Sequence, residues 1–255
     1  MSTTGTGAPS TGTYSVEFFD LQLRFAAKVT ELSGLPLSET VGSHTNIYVR
    51  LAMGPRLDPT NPDWAKYTSS LATAHDPLAL TYRLYLQRAH LPAGPQVSAS
   101  VGCFSYAPIG QDRMRLHFDP EQQLSDSPLS LANRQLRTRE LTTLLSQAVS
   151  LSPNVHVVGA SWLYNLSAYR RLFPQPYLDR LKPIAPPYQR MPLWGQFLHR
   201  DRTVRTEPAQ RFHSRLRTSM LLQELGSCFP LPVLSAAVPA AWLLEQFNNT
   251  RDDAG

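Results

Sequence analysis

The fold is decided by residues 155–165, VHVVGASWLYN, where a short apolar run passes into an aromatic and polar turn. The apolar run, Val155 to Val158, is typical of a strand buried in a sheet. A long amphipathic helix is predicted before it, from Ser130 to Leu151. Period-two patterns over Val97 to Tyr106 and Arg113 to Phe118 predict a β-hairpin ahead of that helix. Because a strand, a crossover helix and a strand normally give parallel strands, the sequence predicts an α/β fold, with α+β as the alternative.

Downstream of this stretch, helices and strands continue to alternate. Asn165 is predicted to cap a short helix that ends near Phe173, and Leu193 to Leu198 reads as a further strand. A helix is predicted from Thr206 to Gly226, followed by a strand over Leu231 to Val238 and a helix over Pro239 to Phe247. The segment therefore predicts a mixed sheet with crossover helices.

The first ninety residues have helical periodicity. The predicted helices are Val16 to about Gly34, Ser38 to Leu51, Asp63 to Ala74, and one that Asp76 and Pro77 open and that ends near Ala89. We expect a disordered tail over 1–13, a single globular domain over 14–247, and a flexible tail over 248–255. Within the domain, a helical part (14–92) is expected to pack on a mixed α/β part (96–247).

Composition limits the compartment and the partners. A chain of 255 residues is long enough for one large domain or two tightly packed halves. The amino end has no signal-peptide pattern, and the longest apolar run is too short for a membrane helix, so no membrane partner is expected. Cys103 and Cys228 have neither metal-ligand spacing nor a disulfide framework, which favours the cytoplasm and predicts no metal. Nothing in the sequence indicates an oligomeric state.

The basic charge comes almost entirely from arginine. The formal charge is +5, and only three of the 24 basic residues are lysines. A GC-rich genome would give this excess of arginine over lysine without any functional cause. The alternative is an arginine surface that binds carboxylate or phosphate groups. The candidates for such an anion-binding surface are Arg200, Arg202, Arg205, Arg211 and Arg215, with Arg217 close behind.

Two residues are candidates for chemistry. Ser161 follows the predicted strand as a nucleophile does in a hydrolase elbow, although Leu163 stands where a small residue is needed. Alternatively, Ser161 lies in a tight turn at the end of the strand, and its hydroxyl forms hydrogen bonds with neighbouring backbone groups. His117 and Asp119 lie two apart on a strand and so point to one face, where a carboxylate can orient an imidazole base. Asp119 is equally an ordinary turn residue before Pro120.

Aromatic and amide residues gather in two places and could line a ligand cleft. The candidate ligand-binding residues are Trp162, Tyr164, Asn165, Trp194 and Gln196, together with Asp119. The same residue types also occur as core residues whose polar ends are satisfied, and the sequence leaves the two interpretations open.

The order of features from Arg115 to Leu178 resembles the GNAT-like C-terminal domain of a bacterial acyltransferase-related family. The resemblance rests on His117 in a strand, on Pro128–Leu129 before the long helix, and on Ser161–Trp162–Leu163. It covers about a quarter of the chain. Tyr164–Asn165 replaces the usual apolar–acidic pair, and the glycine-containing loop that holds the acyl-CoA pyrophosphate in typical members has no counterpart.

Three functions follow as expectations. The resemblance implies an acyltransferase-related enzyme or pseudoenzyme that binds an acyl-CoA-like or other small anionic ligand, with His117 as base and Ser161 in the cleft. The arginine cluster implies a module that binds nucleic acid or another polyanion. A serine hydrolase with Ser161 as nucleophile is the third. The sequence leaves open whether the protein is an enzyme and which cofactor, if any, it uses.

Overall fold

A computed structural model describes residues 12–91, 97–119, 127–185 and 192–252, except for the side chains of 192 and 250–252. The chain forms two compact units: Met1–Ala93 with Phe197–Leu222, and Gly94–Gln196 with Gln223–Gly255. We call them the helical unit and the sheet unit. None of the helices in the described ranges has the length and apolar character needed to cross a membrane.

The helical unit contains six α-helices within its described residues. They are α1 (Val16–Ser33), α2 (Leu37–His44), α3 (Ile47–Arg50), α4 (Pro62–Thr73), α5 (Pro77–Arg88) and α9 (Thr206–Thr218). Their ends follow the predicted signals: α1 stops at Gly34, which has a φ of 74°, and the Asp76 side chain accepts the Ala79 amide at the start of α5. The segment Phe197–Leu222 belongs to this unit, although the sequence placed it in the mixed part.

Two helix predictions in this unit were wrong. The predicted helix Ser38 to Leu51 is interrupted at Thr45 and Asn46, because the buried Gln22 side chain of α1 accepts the Asn46 amide at 2.9 Å. The helix predicted to run to Gly226 ends at Thr218, where the Ser219 hydroxyl bonds back to the Arg215 carbonyl at 2.9 Å. A 3₁₀-helix, Leu222–Cys228, follows.

The sheet unit is built on six strands among its described residues. They are β1 (Ala99–Val101), β2 (Phe104–Pro108), β3 (Arg113–Phe118), β4 (His156–Ser161), β5 (Lys182–Pro183) and β6 (Leu234–Pro239), in the order β1-β2-β3-β4-β6-β5. β3 and β4 are parallel and the other neighbouring pairs are antiparallel. The prediction of a mixed α/β sheet with parallel crossover strands is confirmed.

The helices of the sheet unit are α6 (Arg134–Leu151), α7 (Ser167–Arg170), α8 (Gln175–Leu178) and α10 (Ala240–Asp252), with a 3₁₀-helix at Trp162–Asn165. α10 extends into the segment predicted as a tail; 253–255 and most of the predicted tail 1–13 lie outside the described residues. α6, α7, α8 and α10 all contribute to one core with the sheet. Its sheet residues include Phe104, Tyr106, Met114, Leu116, Val157 and Val238.

Four further boundaries differ from the prediction. The predicted strand Val97 to Tyr106 is two strands, because Gly102 turns the chain with a φ of 56°. The predicted strand Leu193 to Leu198 is a 3₁₀-helix, Pro192–Phe197. Asn165 ends the 3₁₀-helix instead of capping the next helix, whose N-cap is Leu166. α6 starts at Arg134, after turns that include a bond from the Asn133 side chain to the Ser127 carbonyl.

Candidate functional site

The two parallel strands pair over only half of their length. The register joins Arg113 with His156, Met114 with Val157 and Arg115 with Val158, and it ends there. β3 nevertheless continues to Phe118 and β4 to Ser161, each still paired with its other neighbour. The carboxyl halves of β3 and β4, residues 116–118 and 159–161, therefore lie beyond the β3–β4 register while each remains in the sheet.

The backbone of Ala160 is directed toward β3, beyond the end of the β3–β4 register. The Val155 carbonyl accepts the Ala240 amide at 2.9 Å, which directs Val155 toward β6, whereas the His156 amide bonds the Asp112 carbonyl at 2.8 Å, toward β3. Since successive residues of a strand direct their amides to opposite sides, Ala160 is directed like His156. We call the space between residues 116–118 and 159–161 the strand gap.

His117 lies on the sheet face opposite the helices. Met114 and Leu116 point into the core that α6 and α10 cover, so Arg115 and His117 alternate to the other face. Burial, and second the Arg115 guanidinium, lower the pKa of His117 to about 4. The imidazole is therefore uncharged at pH 7. Asp119 follows at the exposed end, with its amide bonded to the Cys103 carbonyl at 2.8 Å.

The Ser161 hydroxyl forms a hydrogen bond with the backbone of the turn that follows it. It accepts the Leu163 amide at 3.1 Å and so caps the 3₁₀-helix at Trp162–Asn165. In the strand alternation Ser161 follows Val157 and Gly159, on the face opposite His117. The structure therefore does not bring the two predicted catalytic side chains onto one face.

Behind β4, Tyr164 is part of a buried group of tyrosines. Its hydroxyl lies 2.7 Å from that of Tyr177, and its ring packs edge-on against Tyr169 at 5.2 Å. Burial raises the pKa of Tyr177 to about 12 and that of Tyr164 well above its usual value, so both hydroxyls stay protonated. A Cβ at Gly159 would overlap both hydroxyls, so only glycine fits where β4 crosses them.

Sequence reasoning missed Tyr169 and Tyr177. The signal available was the spacing of aromatic residues from Tyr164 to Tyr177, which includes Phe173. Tyr164, Tyr169 and Tyr177 come from three separate short helical segments, and their rings meet because the chain turns between these segments. The rule that side chains three or four residues apart are neighbours holds only within one continuous helix, so it could not predict the contact between these rings.

The other predicted ligand-binding residues make structural contacts in the sheet unit. The Asn165 amide donates to the Trp162 and Pro232 carbonyls, both at 2.8 Å. The Gln196 side chain accepts the Leu231 amide at 2.8 Å and donates to its carbonyl, as a neighbouring strand would. Trp194 is buried edge-on against Phe229. Trp162 is half-buried, and its ring nitrogen lies near Gly195.

The predicted arginines lie in two stretches of the helical unit, Arg200 to Arg205 before α9 and Arg211 and Arg215 on α9. Arg202 donates to the Gly12 carbonyl at 2.9 Å and stacks on the Tyr14 ring, so it anchors the start of the described chain. Arg211 and Arg215 are exposed on α9, and Arg211 pairs with Glu207 at 3.1 Å. Arg200 and Arg205 are exposed before the helix begins.

A buried charged group was not predicted at all. Arg137 and Glu140 of α6 form an ion pair at 2.5 Å, with Arg137 1% and Glu140 8% exposed. The same Glu140 oxygen accepts the Cys103 amide at 3.0 Å, and Arg137 lies 2.7 Å from the Cys103 sulfur. Gly102 carries no side chain where one would overlap the Glu140 carboxylate. The group fastens the β1–β2 turn to α6.

The strand gap is a break in backbone pairing and not a large preformed cavity. Two concavities among the described residues measure about 330 and 420 Å³. One lies around His75 and Arg83, and the other around Lys182 and Ala237. Within the same ranges, no three His, Cys, Asp or Glu side chains are grouped to hold a metal ion.

Comparison with known proteins gives no relative to reason from. No family model matches the chain, and neither a curated protein nor a solved structure is significantly similar to it.

Proposed function

We propose that the sheet unit is a GNAT-like domain, an enzyme or pseudoenzyme, that binds an acyl-CoA-like thioester in the strand gap. The observation that carries the proposal is the end of pairing between the parallel strands at Arg115 and Val158. In sheets with parallel strands, ligands bind where the carboxyl ends of the strands leave a crevice. β3 and β4 meet that description at residues 116–118 and 159–161.

The parted backbone suits an extended ligand that carries amide groups. Ala160 directs its amide and carbonyl toward the gap, and backbone groups of a strand edge bind extended chains by adding them as a further strand. The pantetheine arm of coenzyme A is such a chain. The chain segments that carry the GNAT-like resemblance, around His117 and Ser161, are also the two that border the gap.

His117 supplies a proton acceptor for acyl transfer. An amine that attacks the thioester carbonyl forms a carbon–nitrogen bond and gives its proton to the uncharged imidazole. The carbon–sulfur bond then breaks, and the thiolate takes the proton from the imidazolium and leaves as the thiol. Burial, and second Arg115, keep the pKa of His117 low, which favours the unprotonated form before the amine arrives. Ser161 is then a capping residue at the wall of the gap and takes no covalent part.

We also infer that the protein works in the cytoplasm. Cys103 and Cys228 are both buried and are not joined in a disulfide, as thiols are in a reducing compartment.

Binding of acetyl-CoA tests the proposal. We expect acetyl-CoA to raise the melting temperature of the full chain and to give a saturable heat in titration calorimetry. His117→Ala should abolish thiol release with an amine acceptor, whereas His156→Ala should not change it. His156 is the matched control because it lies on the same strand pair at the paired end. The proposal fails if acetyl-CoA and coenzyme A produce neither a shift nor a heat. Equal effects of the two substitutions would remove the role of His117.

A further inference from the structure

The outer edge of strand β6 in the sheet unit is covered over only part of its length. β5 pairs with it through just two residues, Lys182 and Pro183. β6 nevertheless continues to Pro239, and its other side stays paired with β4 along the whole strand. Within the described chain, residues 236–239 therefore have no strand partner on the outer side.

The backbone amide and carbonyl of Ala237 are directed to this unpaired side. The Ala240 amide bonds the Val155 carbonyl at 2.9 Å, so Ala240 is directed toward β4. The Val233 carbonyl accepts the Ile184 amide at 2.9 Å, in the opposite direction, toward β5. Since successive residues of a strand direct their backbone groups to alternate sides, Ala237 is directed like Val233, away from β4.

A concavity of about 420 Å³ adjoins this unpaired edge. Ala237 is exposed, and no described residue accepts its amide on this side. Pro239, the next residue directed outward, has a carbonyl but no amide. The edge can therefore accept only a short further strand. We call the concavity the edge notch; it is lined by Asp179, Arg180, Lys182, Ser235, Ala236 and Ala237.

The lining of the edge notch carries more positive than negative charge. Neither Arg180 nor Lys182 forms an ion pair with a carboxylate of the described residues, and both are exposed. Arg180 lies over the Trp242 ring, 4.4 Å from its centre, which holds the guanidinium beside the notch. Asp179, the carboxylate in the lining, accepts the Gln175 side-chain amide at 2.6 Å. The excess of one positive charge suits a ligand with a single negative charge.

We propose that the edge notch binds the free carboxyl terminus of a peptide, which adds to β6 as an antiparallel strand. β5 occupies the position beside β6 from Lys182 onward, so a chain laid along residues 237–239 ends where β5 begins. In an antiparallel strand, the end that meets β5 is the carboxyl end. One carboxylate oxygen then accepts the Ala237 amide, and the other faces Lys182 and Arg180.

The charges and backbone groups favour a peptide carboxyl terminus over other ligands. A peptide that ran parallel to β6 would bring its positive amino end to the two cations. A phosphate group carries about two negative charges at pH 7 and would lie beside the Asp179 carboxylate. A small carboxylate would leave the Ala237 carbonyl without a donor. The site does not depend on thioester binding, because β4 separates β6 from the strand gap.

Fluorescence anisotropy with a short peptide tests the proposal. The probe is the hexapeptide Gly-Ser-Thr-Val-Thr-Val, labelled with fluorescein at its amino end and with a free carboxyl terminus. Its β-branched residues favour the extended conformation. The full chain should bind this probe, and amidation of the carboxyl terminus should weaken binding about tenfold, because the amide lacks the charge that Lys182 and Arg180 recognise.

Two lysine variants separate the notch from the general charge of the protein. Lys182→Gln should weaken binding of the free-carboxyl probe by about threefold to tenfold. Lys66→Gln is the matched control, because Lys66 is exposed on α4 in the helical unit, and it should leave binding unchanged.

Amide hydrogen exchange followed by NMR tests the geometry directly. In the free protein the Ala237 amide should exchange faster than the Val238 amide, which is directed toward β4. The peptide should slow exchange at Ala237 and leave Val238 unchanged. Ala237→Pro removes the donor at an exposed edge position, where proline is tolerated, and should abolish binding.

Four results would overturn the proposal. The first is equal or absent binding of the free-carboxyl and amidated probes, and the second is equal weakening by Lys182→Gln and Lys66→Gln. The third is displacement of the probe by N-acetylglycine as readily as by the unlabelled hexapeptide, which would make the notch a site for small carboxylates. The fourth is a dimer in sedimentation that Ala237→Pro separates, because a second copy of the chain would then cover the edge.

Discussion

Replacing Glu140 by alanine removes the only carboxylate that pairs with Arg137 among the described residues. Arg137 is 1% exposed, so its guanidinium would remain in the protein interior without a counter-charge. The Cys103 amide would also lose the oxygen that it bonds at 3.0 Å. Both groups are bonded to water in the unfolded chain.

Breaking a buried ion pair from one side costs about 3–5 kcal/mol, and a buried amide left without a partner costs about 1–3 kcal/mol. The two overlap, since the same oxygen serves both groups. We therefore expect the free energy of unfolding to fall by about 4 kcal/mol in Glu140→Ala. That is a large part of the 5–15 kcal/mol typical of a native protein.

Urea unfolding followed by tryptophan fluorescence and circular dichroism measures this change. Glu245→Ala, at an exposed site of α10, is the matched control and should change the free energy by less than about 0.5 kcal/mol. The double variant Arg137→Met/Glu140→Leu removes both charges and fills the space with apolar groups, so it should be more stable than Glu140→Ala alone. A loss below 1 kcal/mol in Glu140→Ala, or a double variant less stable than the single one, would refute the reasoning.

Two other predictions concern the strand gap and its surroundings. Gly159→Ala should lower the free energy of unfolding by roughly 1–3 kcal/mol, because the new Cβ would overlap the Tyr164 and Tyr177 hydroxyls. Gly195→Ala is the control and should be tolerated, because its Cβ would meet nothing closer than 3.8 Å. Equal melting temperatures for the two variants would contradict this prediction. Because the folded protein lowers the pKa of His117 from 6.5 to about 4, the unfolded chain binds the proton more tightly, and the free energy of unfolding should fall as the pH drops from about 6.5 to 4. In urea titrations His117→Gln should lessen that fall, and an unchanged pH profile would count against a buried neutral imidazole.

Much of the secondary structure could be predicted from local signals. The ends of α1, α4 and α5 coincide with a glycine in the left-handed region and with asparagine and aspartate caps. The order of hairpin, crossover helix and strand predicted the parallel pairing of β3 with β4. These signals are local because caps, turns and periodicity act over a few residues.

The predictions that were wrong share a cause. α2 stops early because Gln22, 24 residues away, takes the Asn46 amide, and Pro192–Phe197 is a 3₁₀-helix beside Leu231, whose backbone the Gln196 side chain bonds. In both places a distant side chain supplies a hydrogen bond that the local pattern assigns to a helix or strand. Propensity is a weak preference, and tertiary contacts override it.

For the candidate site, too, some features could be predicted from local sequence and others depended on tertiary contacts. Residues 155–165 by themselves determined a buried strand that leaves the sheet through a tight turn, because a run of apolar residues, a glycine and a capping serine act within a few positions. The tertiary structure alone decided that the pairing of β4 with β3 ends halfway along, that Ser161 and His117 face opposite sides, and that Tyr177 meets Tyr164 behind Gly159. Those facts depend on which strand lies beside which and in what register, and register is set by the packing of the whole sheet.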